Sequence, residues 1–320
     1  MSEKTLIKNQ DCALREYLLA QYAGIFDDAA IEAHIRDYVG FVFSDSVAPL
    51  VARQILKGGK ILDIGCGFGA FVISSRRLGF DAIGVEIAPF EVEYAKRRWE
   101  QEMPGTDPSS VYFLGDGHTV PFAENSFDAV TLWNVLEHVP DGLRLLREAT
   151  RVLKPNGILF IICPNYAAFR QEAHYLVPWW PLLFRKLASI YLRILGKDPR
   201  FFETSIFYRT NWEVHHALSQ LGMRVSHIEG PLTFDSTEID LFAQNIKNKI
   251  WQPELARSAK LKSLLMLAKK FHIRWMLILG INFIVALRYL GLWSKYKMYN
   301  LRLYNPFIES ITLSAKKVVR

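Results

Sequence analysis

The chain has 320 residues, of which 50% are hydrophobic, 13% aromatic and 22% charged, with a formal net charge of +7. That length suits one or two domains able to bury a full core. Three cysteines (Cys12, Cys66 and Cys163) stand far apart, which excludes a zinc-ligand spacing and points to a reducing compartment.

The charge is unevenly divided. Residues 1–170 carry a net −5 and residues 171–320 a net +12, with 15 basic residues in 241–320 against only Glu254 and Glu309. Met1-Ser2-Glu3-Lys4 leads into polar sequence without a secretory signal, so the expected location is cytoplasmic.

Along the chain, apolar spacings of three and four predict helices over Asp11–Tyr22 and from Asp28 to about Leu56. Strands and helices then alternate, the pattern of a parallel sheet covered on both faces. Strands are expected at Lys60–Ile64, Ala82–Val85, Val111–Leu114, Phe127–Trp133 and Ile158–Cys163. Between them fall helices from Gly69 to Leu78, stopped by Gly79, from Pro89 onward, and from Gly142 to Leu153. Thr210–Glu213 has the form of a capping box opening a helix that ends at Gly222, followed by strands at Met223–Ile228 and Ser310–Ala315.

Chemistry concentrates at Lys60–Phe71, where a buried strand carrying Asp63 runs into Gly65, Gly67 and Gly69 and then a breaker-free apolar segment. This reads as a tight glycine turn at a helix N-terminus, where adenosine cofactors bind. A dinucleotide site is the alternative, but Asp63 would repel a pyrophosphate, which wants bare N–H groups. A carboxylate facing the crevice would instead welcome an amino group or a sulfonium. Glu86 ends the second strand, 21 positions after Gly65, where it can accept both ribose hydroxyls.

The turn resembles motif I of the class I S-adenosylmethionine-dependent methyltransferases. Ser126–Asp141, which contains Phe127-Asp128 and Leu136-Glu137-His138-Val139-Pro140-Asp141, closely resembles the corresponding segment of the type-11 methyltransferase family. Arg147–Gly157 continues the match, and the resemblance covers about residues 58–165. It implies an α/β fold: a Rossmann-like, seven-stranded, mostly parallel sheet with N-terminal helices and two helical inserts. It also implies an enzyme whose cofactor is S-adenosyl-L-methionine, with no metal. In the family an acid at the position of Asp116 accepts the adenine amino group and the next N–H, here that of Gly117, contacts the ring. Asp63, Gly65, Cys66, Gly67, Gly69, Glu86, Ile87, Asp116, Gly117 and Asn134 make up the implied cofactor-binding set.

The expected organisation is a helical cap (1–57), the cofactor-binding core (58–165), a substrate lid (166–209), a core helix and strand (210–230), a basic hydrophobic insert (231–307) and the last strand with its tail (308–320). His138, at the carboxyl edge of the sheet, is the candidate general base, since a hydroxyl acceptor must lose its proton. Tyr166, His174, Tyr175 and Tyr208 are lid candidates, each weighed against plain packing. Cys163-Pro164-Asn165-Tyr166 follows the fifth strand and lacks a second proline, so it is not the amino-methylating motif of nucleic-acid enzymes.

Leu182–Leu195 has the pattern of a basic amphipathic helix preceded by Trp179 and Trp180. The second insert carries Lys262, Lys269, Lys270, His272, Arg274, Arg288, Lys295 and Lys297 around the uncharged run Trp275–Leu287, which is too short to span a bilayer. These inserts read either as lids, with a homodimer interface among the options, or as a surface resting on anionic lipid at the cytoplasmic face. No recognisable module favours nucleic acid. The acceptor expected is a small hydrophobic or membrane-associated molecule such as a quinone, lipid or polyketide-like compound. A methyltransferase for a soluble sugar or glycan, and a non-catalytic cofactor-binding scaffold, are the alternatives.

Overall fold

Strands buried on both faces need nearly continuous apolar runs, and Lys60–Ile64 (β1) and Phe127–Trp133 (β4) supply them side by side at the centre of the sheet. The computed structural model describes residues 3–228, 237–255, 259–270, 274–301 and 310–318. The remaining strands are Asp81–Glu86 (β2), Tyr112–Leu114 (β3), Leu153–Pro164 (β5), Arg170–Gln171 (β6), Pro178–Trp179 (β7), Met223–His227 (β8) and Ser310–Lys317 (β9). Seven of them form one sheet in the order β3-β2-β1-β4-β5-β9-β8, with β9 antiparallel to both of its neighbours. This is the mostly parallel, seven-stranded class I methyltransferase fold expected from the sequence.

Helices Glu3–Gln21 (α1), Asp28–His34 (α2) and Val42–Ala52 (α3) precede β1. The single long helix expected after Asp28 is broken. A π turn over Ile35–Val39 ends at Gly40, whose extended ψ lets the chain start again. Ala70–Arg77 (α4) and Pro89–Glu102 (α5) flank β2, and Gly142–Val152 (α6) leads into β5. β5 begins five residues before the expected Ile158, because Leu153 already pairs with Phe127 across a register shift. One core cluster packs α3, α4 and α5 against the sheet, with Val72, Trp99, Tyr112 and Phe160 all buried.

The first insert has a core of its own. β6 and β7 form a short antiparallel pair, followed by Arg185–Ile194 (α7), Arg200–Ser205 (α8) and Asn211–Gln220 (α9). Tyr166, Tyr175, Trp179, Leu192 and Phe202 pack together inside it, joined by Ile25 from the N-terminal cap. The Thr210 hydroxyl accepts from the Glu213 N–H at 3.1 Å and so caps α9 as expected.

The chain divides into two compact units, residues 1–230 with 309–320, and residues 231–308. In the second, Thr237–Trp251 (α10), Ala259–Lys270 (α11) and Arg274–Leu301 (α12) bury Ile250 and Leu265 against Leu277, Ile278 and Ile281. Met276, Leu279, Phe283, Leu287 and Leu290 of α12 are exposed. His272 lies outside the described residues. Among the described residues no helix is long and apolar enough to cross a membrane.

Candidate active site

The glycine turn is built by close packing. All three glycines have φ between 50° and 79°, which costs other residues strain. A Cβ on Gly65 would lie 2.4 Å from Val135 Cγ2, and one on Gly69 2.8 Å from Ala95 Cβ. A Cβ on Gly67 would meet only Glu91 Oε2, at 3.4 Å. Gly65 and Gly67 line a cavity of about 670 Å³ in the first unit. Cys66 and Gly69, expected beside them, are not in that lining. Both face inward, with Cys66 buried against Gly84 and the Gly69 carbonyl oxygen accepting from the Tyr112 hydroxyl at 3.0 Å.

Asp63 corrects the sequence reading. It does not line the cavity and is only 1% exposed. In register with Thr131 on β4, it accepts the Thr131 hydroxyl at 2.6 Å. Burial pushes its carboxyl up to about 8 despite that hydrogen bond. Burial thus favours its neutral form, and it sits between strands rather than facing the crevice.

Glu86 fills the expected place. It ends β2 at the cavity wall, and its carboxylate accepts from the N–H groups of Gly67 (3.0 Å), Ile87 (2.7 Å) and Ala88 (3.0 Å). Those bonds fix the carboxylate: Oε1 takes two of them and Oε2 one, which leaves a lone pair on Oε2 for a ligand hydroxyl. Glu91, which the sequence reading missed, stands on the next helix and accepts the Tyr17 hydroxyl at 2.9 Å. Burial, then the nearby Glu86, raises it to about 7. Chain separation hid this pair: α1 had no motif to link Tyr17 to the turn.

Asp116, Gly117 and His118 follow β3 and line the same cavity, with Ile87 and Asn134. The backbone N–H of His118, and then its ring, hold Asp116 below the usual carboxylate range. Only Oδ1 takes those bonds, which leaves the second oxygen for a ligand donor. Bare backbone at Gly67, a fixed carboxylate at Glu86 and an ionised one at Asp116 fit S-adenosylmethionine, whose ribose and adenine both present donors. When bound there the cofactor supplies an electrophilic methyl group. These residues would bind and orient it.

The other half of the cavity is aromatic. Tyr22, Phe26 and Tyr38 come from the N-terminal cap, Trp133 and His138 from β4 and its loop, and His174, Phe201 and Phe207 from the first insert. Of the lid candidates, His174 alone reaches the cavity. Tyr166 and Tyr175 are buried in the insert's core, and Tyr208 stacks on Tyr166 with ring centroids 4.6 Å apart. His138 is in the cavity, and its Nδ1–H donates to the Ser205 carbonyl at 2.8 Å. Glu137 beside it is buried, which raises its carboxyl to about 8, and its Oε2 has no partner among the described residues. Among the described residues no cluster of His, Cys, Asp or Glu could hold a metal.

Comparison with known proteins points the same way. The family model "Methyltransferase domain" (Methyltransf_11) matches residues 62–161. A "Ubiquinone biosynthesis O-methyltransferase" of Xanthomonas oryzae pv. oryzae is 38% identical over 116 residues, covering 36% of this chain and 46% of that protein. One from Azorhizobium caulinodans is 34% identical over 131 residues, 39% of this chain and 50% of that protein. A "Demethylmenaquinone methyltransferase" of Staphylococcus saprophyticus is 32% identical over 159 residues, 47% of this chain and 62% of that protein. The chain thus spans about half the length of these relatives, and the residues matched by the family model include the glycine turn and Glu86. With the strand order of the fold and a cavity that fits S-adenosylmethionine, that match identifies residues 62–161 as a methyltransferase domain of the type-11 family, built on the class I fold.

Proposed function

We propose that the chain transfers a methyl group from S-adenosylmethionine to a hydroxyl of a quinone-type aromatic acceptor, a phenol or catechol carrying an apolar substituent. The observation that carries this reading is the continuity of the cavity. Its glycine and carboxylate wall opens directly onto an aromatic chamber with histidines at its edge. Flat apolar rings suit such walls, and few polar groups are needed to orient them. The names of the relatives support the acceptor class.

The residues of this chain have simple tasks. Glu86, Asp116 and the turn hold the cofactor, and the aromatic walls hold the acceptor in line with the methyl and keep water out. The test is methyl transfer from S-adenosylmethionine to catechol and to a short-chain prenyl catechol, compared with a set of monosaccharides. Turnover of the prenyl catechol at the lower KM is expected; turnover of sugars alone would sink the reading.

The acceptor class also bears on location. α7 exposes Phe184, Leu187, Ile190 and Ile194, with Lys186 and Arg193 also exposed and Trp180 just before it. An apolar stripe flanked by cations is the chemistry of a helix lying on anionic lipid. On this reading the first insert rests on the membrane that holds the acceptor. Flotation with phosphatidylglycerol vesicles at low salt should carry the protein upward. Ile190→Glu should weaken that binding at least tenfold, and equal recovery with neutral vesicles would refute the electrostatic part.

A further inference from the structure

Three histidines, His34, His138 and His174, border the aromatic chamber, and they differ in what stands behind each ring. His34 stacks on Tyr38 with centroids 5.2 Å apart and packs near Tyr22 and Phe26. Burial, then the neighbouring His174, pushes it down to about 4. His138 has only the neutral Ser205 carbonyl behind Nδ1, and burial, again helped by His174, lowers it to about 4. Both rings stay uncharged at neutral pH.

His174 has an anion behind it. Its Nδ1 lies 3.1 Å from Glu172 Oε1. The residue Glu172 is 0% exposed, yet it is fully provided with donors. The N–H groups of His174 and Tyr175 each reach Oε2 at 2.7 Å, and the Tyr166 hydroxyl reaches Oε1 at 2.8 Å. Burial alone would raise this carboxyl, but the His174 ring and those donors bring it down to about 2. A carboxylate only accepts, so Nδ1 of His174 is the donor to Glu172 and Nε2 is the ring nitrogen left for the acceptor. The His138 ring stands edge-on to His174, centroids 5.1 Å apart, and Phe201 lies at 5.3 Å. Arg170 sits over the Tyr166 ring at 5.2 Å and makes no ion pair with Glu172.

From these contacts we propose that Glu172 and His174 form a carboxylate–imidazole dyad in which His174 is the general base for methyl transfer and Glu172 the positioning residue. This rests on the reading that the acceptor atom is a hydroxyl oxygen. The hydroxyl proton passes to Nε2 of His174 as the oxygen–carbon bond forms. The carbon–sulfur bond breaks with its electron pair left on sulfur, and the positive charge that began on sulfur ends on the imidazolium. Glu172 stabilises that imidazolium and fixes the ring's tautomer. His138, expected from the sequence to be the base, is instead a neutral neighbour that keeps a second positive charge away.

The experiment uses the full chain with two acceptors, catechol and nitrocatechol, which is already largely ionised near neutral pH and so needs no base. His174→Gln is expected to lower kcat on catechol about 10²- to 10⁴-fold. On nitrocatechol the loss should stay under about tenfold, the remainder after the proton-transfer contribution is removed. S-adenosylhomocysteine affinity, read by calorimetry, should stay unchanged. Glu172→Gln should reduce kcat on catechol and move the acidic limb of its pH profile to lower pH, because the imidazolium loses its counter-ion. Equal losses on both acceptors, or wild-type turnover by His174→Gln, would overturn the dyad. If Glu172→Gln does not fold, the ratio of the two acceptors in His174→Gln decides alone. A wild-type chain that binds S-adenosylhomocysteine but methylates neither acceptor would remove the hydroxyl-acceptor reading, and the dyad with it.

Discussion

Glu86→Ala is expected to weaken S-adenosylhomocysteine binding about a hundredfold, which at 1.4 kcal/mol per decade is about 3 kcal/mol. The wild-type carboxylate is held by three backbone N–H groups, from Gly67, Ile87 and Ala88, so a ligand hydroxyl meets an acceptor already in place. A hydrogen bond to a charged group contributes about 1.5–3 kcal/mol, so one ribose hydroxyl on the free lone pair of Oε2 accounts for most of that loss. The substitution also frees the Gly67 N–H and loosens the turn that Glu86 ties to β2. Glu86→Gln keeps an oxygen acceptor and should retain part of the affinity. Titration calorimetry reads the difference directly, and an affinity within threefold of wild type would show that the ribose does not lie on Glu86.

The largest effect on stability is expected at Arg209, where Arg209→Met should cost about 3–5 kcal/mol, the usual consequence of removing one partner from a buried charged network. The Arg209 residue is 8% exposed. Its guanidinium donates to the carbonyls of Leu136 (3.0 Å), Pro140 (3.1 Å) and Val139. It thereby fixes the loop that presents Glu137 and His138, while its own carbonyl accepts from Tyr166 N–H at 2.9 Å. Methionine fills the volume but leaves those carbonyls without donors. At about 2–4 °C per kcal/mol, the transition that S-adenosylhomocysteine stabilises should melt roughly 10 °C lower. A shift below about 2 °C would mean that the loop is held by its other bonds, Phe207 N–H to the Glu137 carbonyl and His138 Nδ1–H to the Ser205 carbonyl.

Much of the core was legible because its signals are local. β1 and β4 are apolar runs bounded by breakers, Pro89 opens α5 and Thr210 caps α9, so each element follows from residues within a few positions of one another. The cofactor wall was legible for the same reason, since Glu86 sits at the end of a strand whose neighbour carries the turn. What escaped depends on direction or distance in space. The alternation of β1 turns Asp63 toward Thr131 instead of the crevice. Tyr17 meets Glu91 across 74 positions. The β6–β7 pair has two residues per strand, too few to show any period. Glu172 had a local signal that went unused: a glutamate two positions before His174 can fold back to accept that residue's own N–H.

The position of β9 has a consequence for how the molecule is assembled. β9 is wedged between β5 and β8, yet in the chain the whole 231–308 unit separates it from β8. To the sheet, that unit is one very long hairpin connection. Closing so long a loop in place of a four-residue turn costs only about 2–3 kcal/mol in chain entropy, because the penalty grows with the logarithm of length. The kinetic side is different. Until residues 310–317 arrive, β5 has a bare edge and β8 has no strand to pair with. The sheet is therefore finished by its most sequence-distant partner, a high-contact-order step that slows folding and leaves a sticky β5 edge exposed during synthesis.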